Sequence, residues 1–249
     1  MRLYYGPPSD LTSFEDLLQE MPDGEFSKLT RSTVPLLAWW SDPKRVHAFS
    51  DCLGLGKIER ASFEYPVSPD CPMCGGRGKS SFTDVMIHSK VGVVAVEAKY
   101  NEKLYPTVGD WLKTGKRDNK AKVLRHWINC CINRSVDLKA CERLVYQMVH
   151  RTASARQAAR DAPAHVVHLL FNSKHCGSYV TATKAIAEVL DPDHLMRFAV
   201  VTVEAAEGRK YSTVKDALAA HGSDVLREAL VEKWELFTFA PPRLAYSGH

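Results

Sequence analysis

A chain of 249 residues that is 45 % hydrophobic and 25 % charged has ordinary globular composition, which excludes general disorder except at the ends. The net charge of +4, from 33 basic and 29 acidic side chains, permits a polyanionic partner without requiring one, so a nucleic-acid surface must come from local clustering. No stretch reaches the roughly 18 apolar residues that span a bilayer, and Met1 to Asp10 lacks the apolar segment of a secretory signal. We therefore expect no membrane association and a cytoplasmic location. The seven cysteines are odd in number and irregularly spaced, which fits reduced thiols better than a disulfide framework.

The first quarter reads as helical. Leu11, Phe14, Leu17 and Leu18 recur at helical spacing behind Asp10, the N-cap candidate. Further helices are expected from Val34-Pro35 and from Asp42-Pro43, where proline suits a first turn. Ile58 to Val67 then reads as a strand, and Ser68 to Lys79 as a Gly/Cys/Pro-rich loop. Phe82 to His88 and Val91 to Lys99 are predicted to pair as an antiparallel hairpin turning near Ser89-Lys90. The second of these strands is apolar from Val91 to Val96, as expected of a central strand covered on both faces. Helices follow at Thr107 to Lys113, Asn119 to Asn133 and Val136 to Arg160. A strand at Val166 to Phe171, a helix at Ser178 to Leu190 and a strand at Phe198 to Val203 come next. Ser212 to His221 and Asp224 to Lys233 read as helices, and the tail beyond Ala240 as irregular. Helices precede and follow the strands, so the expected class is α/β, a central mixed sheet flanked by helices on both sides.

One short constellation carries chemistry. In Val93-Val94-Ala95-Val96-Glu97-Ala98-Lys99 the side chains alternate, so Glu97 and Lys99 share a face while Ala98 points away. Two charges at the end of an apolar strand are costly unless paired or bound to metal. Asp84 opens the preceding strand, and a tight hairpin brings it beside Glu97. Mg²⁺ takes oxygen ligands and is commonly held by one or two carboxylates plus substrate phosphate. Lys99 would orient or help deprotonate a water, or stabilise charge in the transition state. The bland reading of Glu97 and Lys99 is a surface salt bridge.

Asp84, twelve intervening residues and Glu97-Ala98-Lys99 in this strand pattern resemble the PD-(D/E)xK, restriction-endonuclease-like nuclease superfamily. The resemblance runs from about Ile58 to Val203. The segment Gly76-Arg77-Gly78-Lys79-Ser80-Ser81-Phe82-Thr83-Asp84, with Glu97-Ala98-Lys99-Tyr100 after it, is similar to a group of uncharacterised bacterial members. It implies a restriction-endonuclease-like core over 57–205, with helical elaborations at 1–56 and 206–249. It also implies phosphodiester hydrolysis with Mg²⁺ or Mn²⁺, on DNA rather than RNA. Asp84, Glu97 and the Ala98 carbonyl would hold the metal, and Lys99 would serve catalysis. Many such nucleases dimerise to cut both strands, so a homodimer is compatible with it. The superfamily also includes inactive members, so the alternative is a nucleic-acid-binding module without catalysis.

Other residues have two readings. Glu64 would supply an upstream acid to the metal sphere, or is a solvated strand glutamate. Gln147 and Arg151 would stand beside metal and phosphate, or lie on an ordinary wet helix face. Lys113, Lys116, Arg117, Lys120, Lys122 and Arg125 form the densest basic cluster. With Trp111 or Trp127 for stacking they would contact nucleic acid, or they form a solvated face over core tryptophans. Gly78-Lys79-Ser80 is not a P-loop, because Met73 stands where glycine is needed and a strand follows, yet Lys79 would reach a phosphate. Cys71 and Cys74 form half of a zinc knuckle; no second pair follows, so zinc is not expected there, and a zinc-bearing interaction protein is the third reading.

Overall fold

The computed structural model describes residues 1–7, 13–69, 78–132, 136–190 and 195–248. The strands are β1 (Arg2–Tyr5), β2 (Ile58–Val67), β3 (Ser81–Ser89), β4 (Gly92–Tyr100), β5 (Ala164–Phe171), β6 (Met196–Val203), β7 (Ala205–Glu207), β8 (Phe237–Phe239) and β9 (Arg243–Gly248). The helices are α1 (Phe14–Glu20), α2 (Thr33–Trp40), α3 (Pro43–Leu53), α4 (Val108–Lys113), α5 (Arg117–Cys131), α6 (Leu138–Cys141), α7 (Tyr146–Ala159), α8 (Cys176–Leu190), α9 (Tyr211–His221) and α10 (Asp224–Val231).

The main sheet has the order β1-β2-β3-β4-β5-β6-β9. The β1–β2, β4–β5 and β5–β6 pairs are parallel; β2–β3, β3–β4 and β6–β9 are antiparallel. This is the mixed sheet with helices on both sides that the sequence predicts. On one face Val85, Val94, Val96 and Leu169 pack beneath residues of α1, α2, α3, α9 and α10. On the other Met86, Ala95 and Val166 pack beneath α4, α5, α7 and α8. Trp39 anchors the first layer, buried edge-on against Phe49 at 5.7 Å and Phe171 at 6.4 Å between ring centres. β4 lies mid-sheet and its apolar run is buried on both faces, the reason it carries no polar alternation. Among the described residues no helix is long and apolar enough to cross a membrane.

Local chemistry sets the element ends. Ser13, rather than Asp10, caps α1 through a reciprocal pair with Asp16, whereas Asp10 and Leu11 lie outside the described residues. Asp42 caps α3 ahead of Pro43, and Gly54 closes it in the left-handed conformation. The tight turn between β3 and β4 needs Gly92, whose φ is +143° and whose absent Cβ would stand 2.2 Å from the Pro163 carbonyl oxygen.

Three expectations are corrected. Val136 to Arg160 is not one helix: Val145 is extended and bridges Thr107, while Val108 N–H donates to the Leu144 carbonyl at 2.7 Å. Those backbone groups are spent on the start of α4, so α6 and α7 separate. The tail beyond Ala240 is not irregular, because β9 pairs antiparallel with the edge of β6. The first residues add β1 parallel to β2.

Candidate active site

The β3–β4 ladder ends at the Val85–Val96 pair. One residue further, the strands carry Asp84 and Glu97. Instead of continuing the ladder, Asp84 Oδ2 accepts the Ala98 N–H at 2.7 Å. An extended residue turns its N–H and C=O toward the same neighbour, so the Ala98 carbonyl shares the Asp84 side. Glu97 and Lys99 lie on the opposite side of the backbone from Ala98, under α7.

Glu97 is 2 % exposed and Lys99 3 %, so neither forms the surface pair of the bland reading. Lys99 Nζ donates to Glu97 Oε1 at 2.6 Å, and Gln147 Nε2 donates to the same oxygen at 2.7 Å. Glu97 Oε2 is 2.5 Å from Arg151 Nη2, an ion pair off the line of a hydrogen bond, so this buried oxygen has no hydrogen bond of its own. Lys99 also reaches Glu102 at 3.7 Å and sits over the Tyr105 ring at 4.7 Å.

The charges polarise one another. Burial pushes the Glu97 carboxyl up, but Arg151, Lys99 and the Lys99 hydrogen bond overcome it and hold the pKa at about 2. Asp84 goes the other way: the protein packed around it and the Glu97 charge raise it well above the usual carboxylate range. Burial lowers the Lys99 amine, yet the Glu97 and Asp84 carboxylates hold it above its ordinary value.

Arg151, expected to meet phosphate, is 2 % exposed and directed into the protein. Besides Glu97 it binds Thr83 Oγ1 at 2.6 Å and the Phe82 carbonyl at 2.7 Å, which ties α7 to β3. Gln147 and Arg151 are one turn apart on α7, so both reach Glu97. Arg143, which extends that spacing in the sequence, lies outside α7.

Glu64 is part-buried on β2, between the Phe63–Val85 and Tyr65–Thr83 pairs and hence across from Asp84. Its φ of +49° is left-handed, an uncommon conformation for a side-chain-bearing residue. Burial and the charges of Glu25 and Glu97 raise its pKa to about 7, against Arg151 and Arg31. It was expected to complete a metal sphere; among the described residues no three His, Cys, Asp or Glu side chains form a set that could hold an ion. The oxygens that these strand ends carry, those of Asp84, Glu97 and the Ala98 carbonyl, are of the hard kind that a divalent cation takes.

Lys79 and Lys120 line a cavity of about 430 Å³ together with Gln147 and Arg151. Lys120 is tied to the Trp111 carbonyl and Thr114, and Trp111 stacks on Tyr146 at 3.8 Å. Lys116 and Arg117 are exposed at the start of α5, outside that lining. Trp127 is core, 1 % exposed, rather than a stacking platform. Cys71 and Cys74 lie outside the described residues.

The sequence pattern did not single out His168. It pairs in register with Glu97 from β5, is 2 % exposed and has a buried Nδ1 without a hydrogen bond. Burial holds it neutral, with a pKa of about 4. The signal was present: a histidine inside the otherwise apolar run Val166-Val167-His168-Leu169-Leu170.

The family described as a domain of unknown function (DUF6946) matches residues 10–212, a span that includes every one of these site residues. The chain belongs to that family. Comparisons with curated proteins and with solved structures gave no match.

Proposed function

We propose that this DUF6946 member is a metal-dependent nuclease of the PD-(D/E)xK type, with a restriction-endonuclease-like core, hydrolysing phosphodiester bonds of DNA rather than RNA. The observation that carries the reading is the break in the β3–β4 ladder, where Asp84 takes the Ala98 N–H and stands beside the buried Glu97–Lys99 pair. A structural salt bridge has no need of a second carboxyl next to it, held by a backbone N–H.

Asp84, Glu97 and the Ala98 carbonyl would hold Mg²⁺ or Mn²⁺. Such an ion, when bound, polarises a phosphate and acidifies a water. Lys99, charged at every working pH, offsets negative charge at the reacting phosphate. Gln147 fixes the Glu97 carboxylate by its 2.7 Å hydrogen bond. Lys79 and Lys120, in the cavity that Gln147 and Arg151 also line, attract the nucleic-acid backbone. The free thiols of Cys52, Cys131, Cys141 and Cys176 suit a reducing cytoplasm.

A second reading has its own observation. Arg151 already occupies Glu97 Oε2 at 2.5 Å, the position a metal would need, as in a nucleic-acid-binding module that has lost catalysis. Incubation with plasmid and with single- and double-stranded oligonucleotides, in Mg²⁺, Mn²⁺ or EDTA, separates the two. Metal-dependent cutting that is lost in Asp84→Asn, Glu97→Gln and Lys99→Met supports the nuclease. Binding with no cut in any metal, or cutting unchanged in all three variants, overturns it.

A further inference from the structure

The far end of the same sheet holds a second candidate site, about 1250 Å³ in volume, where the ends of β1 to β4 meet the last turn of α7. Strand register decides what faces it. Arg2 pairs with Arg60 across β1–β2, and Arg60 pairs with His88 across β2–β3. Register partners point to one face, so two arginine side chains leave adjacent strands on the same face of the sheet. Like charges directly opposite in a sheet are destabilising. Lys57 and Lys90 line the same cleft, against a single carboxylate, Glu59.

Arg60 is the informative residue. It is part-buried, its Nε is buried without a hydrogen bond, and its Nη2 meets the His88 ring nitrogens at 3.1 and 3.2 Å. Burial and Arg60 itself hold the His88 pKa near 4, so that partner is neutral at physiological pH. Among the described residues no carboxylate forms an ion pair with Arg60, Arg2, Lys57 or Lys90. A guanidinium withdrawn from water normally has an anionic partner. The C-terminal end of α7 offers neutral carbonyls rather than an anion, and those of Arg156 and Ala159 are taken by the Arg160 and Ala162 N–H groups.

We propose that this cleft binds a ligand carrying several phosphate groups, with one phosphate seated between Arg2 and Arg60 and the others on Lys57 and Lys90. A single carboxylate would leave three of the four cations uncompensated, whereas a chain of phosphates matches their spread over several strand ends. The chemistry is shared by a free oligophosphate and a nucleic-acid backbone. The inference stands independently of the nuclease reading, since it uses no residue of that site and its test involves no cleavage.

The test is titration of the full chain, in EDTA, with inorganic tripolyphosphate and with a short single-stranded oligonucleotide at several salt concentrations. Binding should weaken about tenfold in Arg60→Gln. For the oligonucleotide, the slope of log affinity against log salt should shrink by about 0.7 for each phosphate that is no longer neutralised. Lys57→Glu/Lys90→Glu, altered only at exposed positions, gives the same readout should Arg60→Gln fail to fold. Tighter binding of tripolyphosphate points to a small phosphorylated ligand, and tighter binding of the oligonucleotide to a nucleic-acid backbone; either supports the site. No binding of either probe, or equal affinity in parent and variants, overturns it.

Discussion

Gln147 Nε2 lies 2.7 Å from Glu97 Oε1, a bond between residues fifty positions apart that joins α7 to the sheet. With Arg151 one turn further along, α7 supplies both this hydrogen bond and one of the two cations that keep the Glu97 carboxylate ionised inside the protein, the other being Lys99. The site is thus a property of a helix laid across β3, β4 and β5, rather than of one strand.

If Asp84, Glu97 and Lys99 form the reaction centre, then Asp84→Asn, Glu97→Gln and Lys99→Met each lower cleavage by on the order of 10²–10³ or more. Gln147→Ala, which only loosens Glu97, costs roughly 10–100-fold. Single-turnover rates on labelled DNA measure both, with circular dichroism confirming the fold. A larger loss in Gln147→Ala than in Lys99→Met would contradict this ranking.

Arg151 neutralises Glu97 and ties β3 to α7. Arg151→Met leaves a buried carboxylate without that partner, and such losses cost about 3–5 kcal/mol. Urea denaturation in EDTA measures it. A change below about 1 kcal/mol would mean that Lys99 alone compensates Glu97.

Glu64 makes a pH prediction. Its pKa is about 7 in the folded chain against 4.5 for an ordinary glutamate, so the native state keeps a proton that the unfolded state has lost. Its contribution to stability therefore falls as pH rises from about 4.5 to about 7, and is level beyond. His88, His150 and His168, held neutral with pKa values of about 4, 3 and 4, act in the opposite sense below their ordinary value of 6.5. The diagnostic is accordingly the difference between parent and Glu64→Gln, with the variant gaining relative stability from pH 5 to pH 7.5 in urea titrations. A flat difference would refute the assignment.

Gly92→Ala tests the turn. The new methyl would meet the Pro163 carbonyl in a backbone conformation that alanine disfavours. A loss of about 1–3 kcal/mol is expected by thermal or urea unfolding.

Much of the core is legible along the chain because its signals are local. The apolar run Val93 to Val96 marks a mid-sheet strand, and alternation puts Glu97 and Lys99 on one face. The edge strands were not legible: Arg243–Gly248 is mostly exposed and lacks alternation, and it is a strand only because β6 offers it an open edge. The break between α6 and α7 is equally non-local, since Val145 leaves the helix to bridge Thr107.

The sequence by itself determined the α/β class, the hairpin and the company of Asp84, Glu97 and Lys99, because strand periodicity and a short turn act over a few residues. Only the tertiary structure decided that Arg151 faces Glu97 rather than solvent, that His168 joins the site and that Arg2 lies beside Arg60. Those relationships depend on how distant segments pack and register, and the free energy that selects them comes from burying whole faces, which no local pattern encodes.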